Sequence, residues 1–238
     1  MKKYILTSLL FLSLSSAAIQ GQAALLVLIF GDKVATENFY FSLKLGATYS
    51  IIHGYEDGKN AMSLNFGLVN NIKLTEKLSL IPEFLPLSSR GIKDVPVLST
   101  GNPELDDLLV DVESSDRKLS YIDIPVLLRV KLAERFSVSA GPQISFLTGA
   151  TDTYKSSLID DVILTTELDI KSEINTIDAA AVIDLEYILV PPRGGKGVNI
   201  YVRYSKGFVD LVKESSGTKY TTSLIQFGAT FPFVKSDP

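Results

Sequence analysis

The chain has 238 residues and a formal net charge of -4, with no cysteine, no tryptophan and a single histidine. The lack of cysteine excludes a disulfide framework, and no basic or repetitive segment indicates a nucleic-acid partner. The mean hydropathy of +0.23 is high for a soluble globular protein. Beyond its start, however, the sequence has no apolar run of the ~18 residues that a spanning helix requires.

The first residues have the pattern of a secretory signal peptide. Lys2 and Lys3 form a basic region, Ile5–Leu14 an apolar core, and Gly21-Gln22-Ala23 a small-x-Ala cleavage site. Cleavage after Ala18 and an uncleaved anchor are the alternatives. We therefore predict an exported chain.

The whole sequence divides into three predicted regions. We predict a signal peptide at 1–23, a short N-terminal segment at 24–36 and a β-barrel at 37–235. The sequence does not decide whether the short segment is a plug inside the barrel or a helix at its rim.

From Phe39 onwards, apolar side chains recur at every second position. The odd positions from Phe39 to Ile51 are all apolar or aromatic, while the even positions include Ser42 and Lys44. This period of two lasts for more than a dozen residues, whereas a typical strand has ~5–6. Seven further segments alternate in the same way, so that the predicted strands cover 39–51, 64–68, 78–84, 122–130, 136–146, 177–187, 198–204 and 225–233.

One face of each of these eight segments carries no charge, and the opposite faces carry all the charged side chains. We predict that the latter form a structural charge network inside a barrel: Lys44, Glu83, Asp123, Arg129, Lys131, Asp178, Asp184, Glu186 and Arg203. An eight-stranded barrel is just wide enough inside for its own side chains, and an unpaired buried charge costs several kcal/mol. These charges are therefore expected to pair, Glu83 with Arg129 and Asp123 with a nearby Arg or Lys.

The connections between the segments alternate in length. Short connections at 75–77, 133–135 and 191–197 alternate with long ones at 54–60, 88–118, 151–173 and 212–219. Short periplasmic turns and long extracellular loops are typical of transmembrane barrels. We predict an all-β fold, an eight-stranded antiparallel up-and-down transmembrane β-barrel of the outer membrane with both termini in the periplasm. A soluble lipocalin-like barrel is the alternative.

Proline and glycine occur at unusual positions in the predicted strands. Pro82, Pro125 and Pro142 each remove a ladder hydrogen bond, so a β-bulge is expected at each of them. The inward glycines, among them Gly46 and Gly228, are expected to leave room for a bulky neighbour.

Two of the long loops are acidic. They contain Glu104, Asp106, Asp107, Asp111, Glu113 and Asp116 in one loop, and Asp152, Asp160, Asp161, Glu167, Asp169 and Glu173 in the other. Their spacing fits no calcium-binding loop, so a solvated acidic surface is expected. Alternation over 162–170 predicts a hairpin above the membrane, and its edge could pair with another protein.

Three short motifs carry a family resemblance. The segments Leu78–Phe84 (LSLIPEF), Tyr121–Leu128 (YIDIPVLL) and Ala140–Pro142 (AGP) are similar to those of the small outer-membrane β-barrel, or PorT-like "porin family", proteins of the Bacteroidota. Arg203-Tyr204, followed by Gly207-Phe208, resembles the seventh-strand motif of that family. The likeness runs from about Phe39 to Phe233 and implies the fold and the outer-membrane location. It implies no particular activity, because the family is functionally diverse.

Three classes of function follow. The first is a non-enzymatic barrel that is structural in the envelope or docks a partner, as an accessory to secretion or surface-protein assembly. The second is a narrow solute or ion channel, and the third a lipid-modifying barrel enzyme. The isolated His53 fits a rim position better than a catalytic base, and no catalytic, cofactor-binding or metal-binding residue is predicted. The expected partners are outer-membrane lipid and lipopolysaccharide, the barrel-assembly machinery during biogenesis, and a protein at the extracellular loops.

Overall fold

The computed structural model describes residues 38–55, 57–95, 114–157, 163–193, 196–213 and 217–233. The predicted signal peptide, the segment 24–36 and the acidic positions from Glu104 to Glu113, with Asp160 and Asp161, lie outside these ranges. The described residues contain strands and no helix. Among them there is accordingly no helix of the length and apolarity that crossing a membrane requires.

Nine strands make up the described fold, all in one antiparallel sheet. They are β1 (Phe39–His53), β2 (Lys59–Lys73), β3 (Leu78–Lys93), β4 (Ser114–Lys131), β5 (Phe136–Ser157), β6 (Ile163–Asp169), β7 (Ile177–Arg193), β8 (Lys196–Gly207) and β9 (Thr221–Phe233). All strands except β6 form the wall of the barrel, in which each strand pairs with the next wall strand in the chain. β1 pairs with β9 to close the barrel. Because β6 pairs with the end of β5 alone, the wall has eight strands, which confirms the predicted barrel.

Burial follows the alternation of the sequence, with the polar face inside. In β1 the side chains of Lys44 and Thr48 are buried, whereas Leu45 is 49% exposed. A soluble barrel would place its apolar face inward. Apolar side chains on the outer face and polar ones inside are instead the arrangement of a barrel surrounded by lipid. This pattern contradicts the soluble lipocalin-like alternative.

The two ends of the barrel differ. We call the end with the connections after β2, β4 and β7 the short-turn end and the opposite end the long-loop end. At the long-loop end β4 and β5 extend well beyond the predicted strands, into segments that the sequence indicated to be loops. There β4, β5 and β6 form a three-stranded sheet, in which Thr151–Ser157 pairs with Ile163–Asp169. This sheet contains the hairpin predicted over 162–170.

The three prolines do not produce the expected bulges. The register continues unchanged through Pro82, through Pro125, opposite Gln143, and through Pro142, opposite Ala181. The irregularity in this part of the wall lies instead between Leu85 and Ser88 of β3, where the extra residue falls next to Pro86. This bulge reverses the alternation of β3, so that inward positions change from odd to even numbers.

An apolar cluster fills the barrel at the long-loop end. Its wall residues include Ile52, Ile92 and Leu119, all at most 5% exposed. Loop residues complete it: Ile170, Ile174 and Leu211 pack against these wall residues. The two loops are joined by backbone hydrogen bonds, such as the one of 2.8 Å from the amide of Asn175 to the carbonyl of Leu211. The lumen is therefore closed here by buried apolar side chains.

Gly46 and Gly228 face each other across the β1–β9 ladder. The bulky neighbour that they accommodate is Tyr201 of β8, whose hydroxyl occupies the space where a Cβ on Gly46 would lie. From this position the hydroxyl donates a hydrogen bond of 3.0 Å to Oδ1 of Asn65. Gly46 thus leaves room for a buried tyrosine inside the barrel, next to the seam where the barrel closes.

Gly46→Ala is expected to destabilise the folded barrel by about 1–3 kcal/mol, the usual effect of overpacking. The added methyl group would overlap the Tyr201 hydroxyl and approach the Phe227 carbonyl. The measurement is the temperature at which the folded band converts to the unfolded band on gels. Gly149→Ala is the matched control, because its nearest contact would be Cβ of Ser120 at 4.0 Å. Equal conversion temperatures for the two variants would contradict the explanation.

Candidate functional site

The charged side chains inside the barrel form the candidate site. At its centre the guanidinium of Arg203 lies between two carboxylates, with Nη2 at 2.6 Å from Oε1 of Glu83 and Nε at 2.8 Å from Oδ2 of Asp184. Its Nη1 donates to the second oxygen of Glu83 at 2.8 Å, which makes that contact bidentate. Strands β3, β7 and β8 are thereby joined across the lumen.

Lys44 completes this central group. Its Nζ lies 3.3 Å from Oε1 of Glu83 and 3.5 Å from Oδ2 of Asp184. It also lies 4.0 Å from the centre of the Tyr201 ring, a favourable cation–π distance. Two cations thus face two anions, so the group is neutral, as burial requires.

Towards the short-turn end, Arg129 pairs with Glu186. Their closest atoms, Nη1 and Oε1, are 3.0 Å apart, and Thr230 donates a hydrogen bond of 3.3 Å to the same carboxylate. The expected pair of Glu83 with Arg129 is therefore wrong as a direct contact. Strands that are far apart in the sequence meet across the lumen, so Arg129 of β4 pairs with a carboxylate of β7 and not with the expected one of β3.

Asp123 pairs with an arginine that the sequence analysis assigned to a loop. Nη2 of Arg90 lies 2.9 Å from Oδ1 of Asp123, and its Nη1 lies 2.6 Å from Oδ2 of Asp178. Ser88 donates a further hydrogen bond of 2.6 Å to Asp123. One guanidinium therefore serves two buried carboxylates, and the hydroxyls of Ser88 and Thr222 each donate a further hydrogen bond to one of them.

A further ion pair lies beside the apolar cluster at the long-loop end. Arg117 contacts Asp152 through two hydrogen bonds, Nε to Oδ1 at 2.7 Å and Nη2 to Oδ2 at 2.6 Å. Arg117 also donates to the hydroxyl of Tyr55, and Tyr154 donates to Asp152 at 3.1 Å. Burial raises the pKa of Tyr55, so this hydroxyl stays neutral beside the ion pair.

Lys131, the last residue of β4, is exposed at the short-turn end. It takes part in no ion pair within the described ranges, unlike the eight other residues of the predicted set. It lines a cavity of about 210 Å³ at the mouth of the barrel, together with Arg129 and Glu186. Because Lys131 is the last residue of its strand, it lies at the mouth of the barrel and not in the interior.

Three further residues of the interior, Arg90, Arg117 and Asp152, were not predicted from the sequence. Arg90 follows the bulge that reverses the alternation of β3, and the other two lie where strands extend past their predicted ends. A usable signal was present: Arg117 and Leu119 continue the alternation that leads into Tyr121.

Among the described residues, paired charges and apolar side chains fill the interior. Val69, Ile81, Leu127 and Val182 form a small buried apolar cluster within the barrel. In the described part of the chain no three His, Cys, Asp or Glu side chains are placed to hold a metal ion. His53 lies at the end of β1, where Nε2 is 2.9 Å from the Ser223 hydroxyl.

An antiparallel wall with lipid-compatible side chains outside and paired charges inside defines a transmembrane β-barrel. The sequence matches the family described as "Outer membrane protein beta-barrel domain" over residues 32–213, and the chain belongs to this family. The family places the protein in the outer membrane. No curated protein matches the sequence.

Several solved structures share the architecture at low sequence identity. Ail, the attachment invasion locus protein of Yersinia pestis, was solved in complex with the heparin analogue sucrose octasulfate. It is 13% identical, with 82% of this chain and 99% of that chain covered and a TM-score of 0.41. The outer membrane protein AlkL, solved in DMPC lipid bilayers, is 10% identical, with 87% of this chain and 96% of that chain covered and a TM-score of 0.44. The outer membrane protein OprG from Pseudomonas aeruginosa is 12% identical, with 85% of this chain and 100% of that chain covered and a TM-score of 0.37.

Arg203→Met is expected to lower the free energy of unfolding by about 3–5 kcal/mol, because Glu83 and Asp184 lose their main partner in a buried site. Urea unfolding of the barrel in lipid vesicles measures this change. Lys131→Met is the matched control and should stay within about 0.5 kcal/mol of the wild type, since its side chain is exposed. Similar small effects for both variants would show that the network does not stabilise the barrel.

Proposed function

We propose that this protein is a non-enzymatic integral outer-membrane barrel with a closed interior, and that it docks a partner through the sheet at its long-loop end. The observation that carries the proposal is the filled lumen. Buried ion pairs occupy its middle, and an apolar cluster completed by loop residues closes the long-loop end. A barrel that passes no solute acts through its surfaces.

The filled lumen argues against the narrow channel. The central side chains of Arg203, Lys44 and Glu83 are each at most 4% exposed. A permeating ion would have to separate charge pairs that lie 2.6–3.5 Å apart, and each broken buried pair costs several kcal/mol. The wide polar lumen of a porin is the opposite case.

The enzyme alternative has no supporting geometry. A hydrolytic barrel needs a base within hydrogen-bond reach of a nucleophile, and the base is in turn oriented by a third group. His53 contacts the Ser223 hydroxyl. No carboxylate within the described ranges forms a hydrogen bond with His53, so nothing there orients the ring as a base.

The long-loop end supplies a docking surface. β5 has 22 residues, whereas a strand crosses a bilayer with ~9–11 residues. Its upper half therefore projects beyond the membrane and carries β6 (Ile163–Asp169) as an edge strand. Within the described ranges the outer side of β6 pairs with no strand, and an open edge of this kind accepts an extended segment of another protein.

The orientation and the processing of the chain belong to the same proposal. Residues 1–23 serve as a cleaved signal peptide, 24–36 as a short segment before the wall, and 37–235 as the barrel, with periplasmic termini and extracellular long loops. An even number of wall strands supports this, since both ends then lie on the short-turn side. Insertion requires the barrel-assembly machinery, and the strand motifs favour the PorT-like group of the Bacteroidota.

In planar bilayers the purified protein is expected to give no conductance steps above the baseline, because ion pairs and apolar side chains fill its lumen. Folded insertion is checked in the same preparation by heat-dependent gel mobility. Reproducible open-channel currents from the folded protein would overturn the closed barrel and support the narrow channel.

A photo-reactive residue introduced at Thr165 or Glu167 of β6 is expected to crosslink one specific protein in the native outer membrane. Both side chains are exposed on the projecting sheet. The same residue introduced at Val202, on the lipid-facing side of β8, is the control and should capture no protein. The same products from both positions would argue against docking at the edge of β6.

A further inference from the structure

The ladder between β2 and β3 is interrupted at the long-loop end. Asn60 pairs with Ile92 and Asn65 with Ser88, but the four residues of β2 between these pairs have no ladder partner on β3. The Ser63 hydroxyl donates to the carbonyl of Ser89 and partly bridges the interruption. This is the widest break in the pairing of the barrel wall.

A cleft of about 520 Å³ lies at this interruption. It is lined on the lipid side by Met62, Leu64 and Leu87 and on the lumen side by Arg90 and Arg117. It therefore reaches into the wall from outside, and its walls are apolar at the entrance and cationic at the base.

The apolar entrance is unusually exposed. Leu64 is 71% exposed, Leu87 64% and Met62 56%, the largest values among the large apolar side chains of the described wall strands. In a bilayer these three side chains contact acyl chains, and the unpaired backbone groups beside them cannot hydrogen-bond to hydrocarbon. A lipid with polar atoms near its acyl chains would satisfy both parts of the cleft.

Two exposed lysines stand at the rim of the cleft. Lys93 and Lys118 line it together with one carboxylate, Asp116. Neither lysine forms an ion pair with another described residue, whereas Lys59 nearby is bound to Asp94 at 2.8 Å. At the base, Arg90 and Arg117 have carboxylate partners, yet Nε of Arg90 is buried without an acceptor among the described residues. The charge of the cleft therefore favours an anion.

We propose that this cleft binds an anionic, phosphate-bearing lipid of the surrounding bilayer. One acyl chain lies against Met62, Leu64 and Leu87, and the headgroup phosphate binds Lys93 and Lys118. The site requires only that the barrel spans a bilayer, and it is independent of the docking of a protein at β6. A lipid held here would also cover the break in the wall.

The chain contains no tryptophan, so a single introduced tryptophan reports on one position. Leu87→Trp places it at the cleft, and Val202→Trp on β8, the strand opposite β3 in the order of the wall, is the control. The full chain is reconstituted in phosphatidylcholine with brominated phosphatidylglycerol or brominated phosphatidylcholine as quencher. The preference for the anionic lipid at Leu87→Trp is expected to be about fivefold for each lysine.

Adding Lys93→Gln and Lys118→Gln to Leu87→Trp is expected to remove this preference. Equal quenching by the two lipids, the same preference at Val202→Trp, or a preference that survives both glutamines would overturn the proposal. If Leu87→Trp does not insert, native mass spectrometry of the unsubstituted chain and of the double glutamine variant decides. Retention of phosphatidylglycerol by the former alone supports the site, and equal retention overturns it.

Discussion

The fold depends on the guanidinium of Arg203, which lies between Glu83 and Asp184 in the middle of the barrel. Lipid around the wall forces the charged face of every strand inward, and eight strands leave too little room for water to solvate those charges. Each charge must therefore find a partner of opposite sign, or it destabilises the fold by several kcal/mol. Arg203 satisfies two carboxylates at once, because its planar group donates in several directions.

The same contacts explain how the barrel closes. Glu83 and Arg203 are 120 residues apart in the sequence and lie on opposite sides of the wall. Lys44 adds β1 to the group, and the Tyr201 ring beneath it fits only because Gly46 has no side chain. The ion pairs therefore cross-link strands on the two sides of the β1–β9 seam through the lumen, β1 and β3 on one side and β7 and β8 on the other.

The sequence was sufficient for the number of wall strands, their order and the inward direction of Lys44, Asp184 and Arg203, because lipid imposes a strict period of two. It was insufficient for the ion pairs. Because the wall is curved, the partners of Glu83 reach it across the lumen and do not lie on the strands next to β3. Arg90 was missed for a different reason. A bulge beside Pro86 shifts the alternation by one residue, and Pro86 lies beyond the end of the strand predicted over 78–84. Conversely, Pro82 and Pro125 predicted β-bulges, but the strands stay in register at both residues.

The proposed function lies at the outer surfaces of the protein, because its interior is filled. The projecting sheet of β4, β5 and β6 and the cleft between β2 and β3 both lie at the long-loop end, and Lys118 of β4 is common to their surroundings. The interior of this end is held by the apolar cluster and by the Arg117–Asp152 pair. The filled interior supports the sheet from below, and a lipid in the cleft would cover the widest break in the described pairing of the wall. The filled lumen is thus the support on which both surfaces depend.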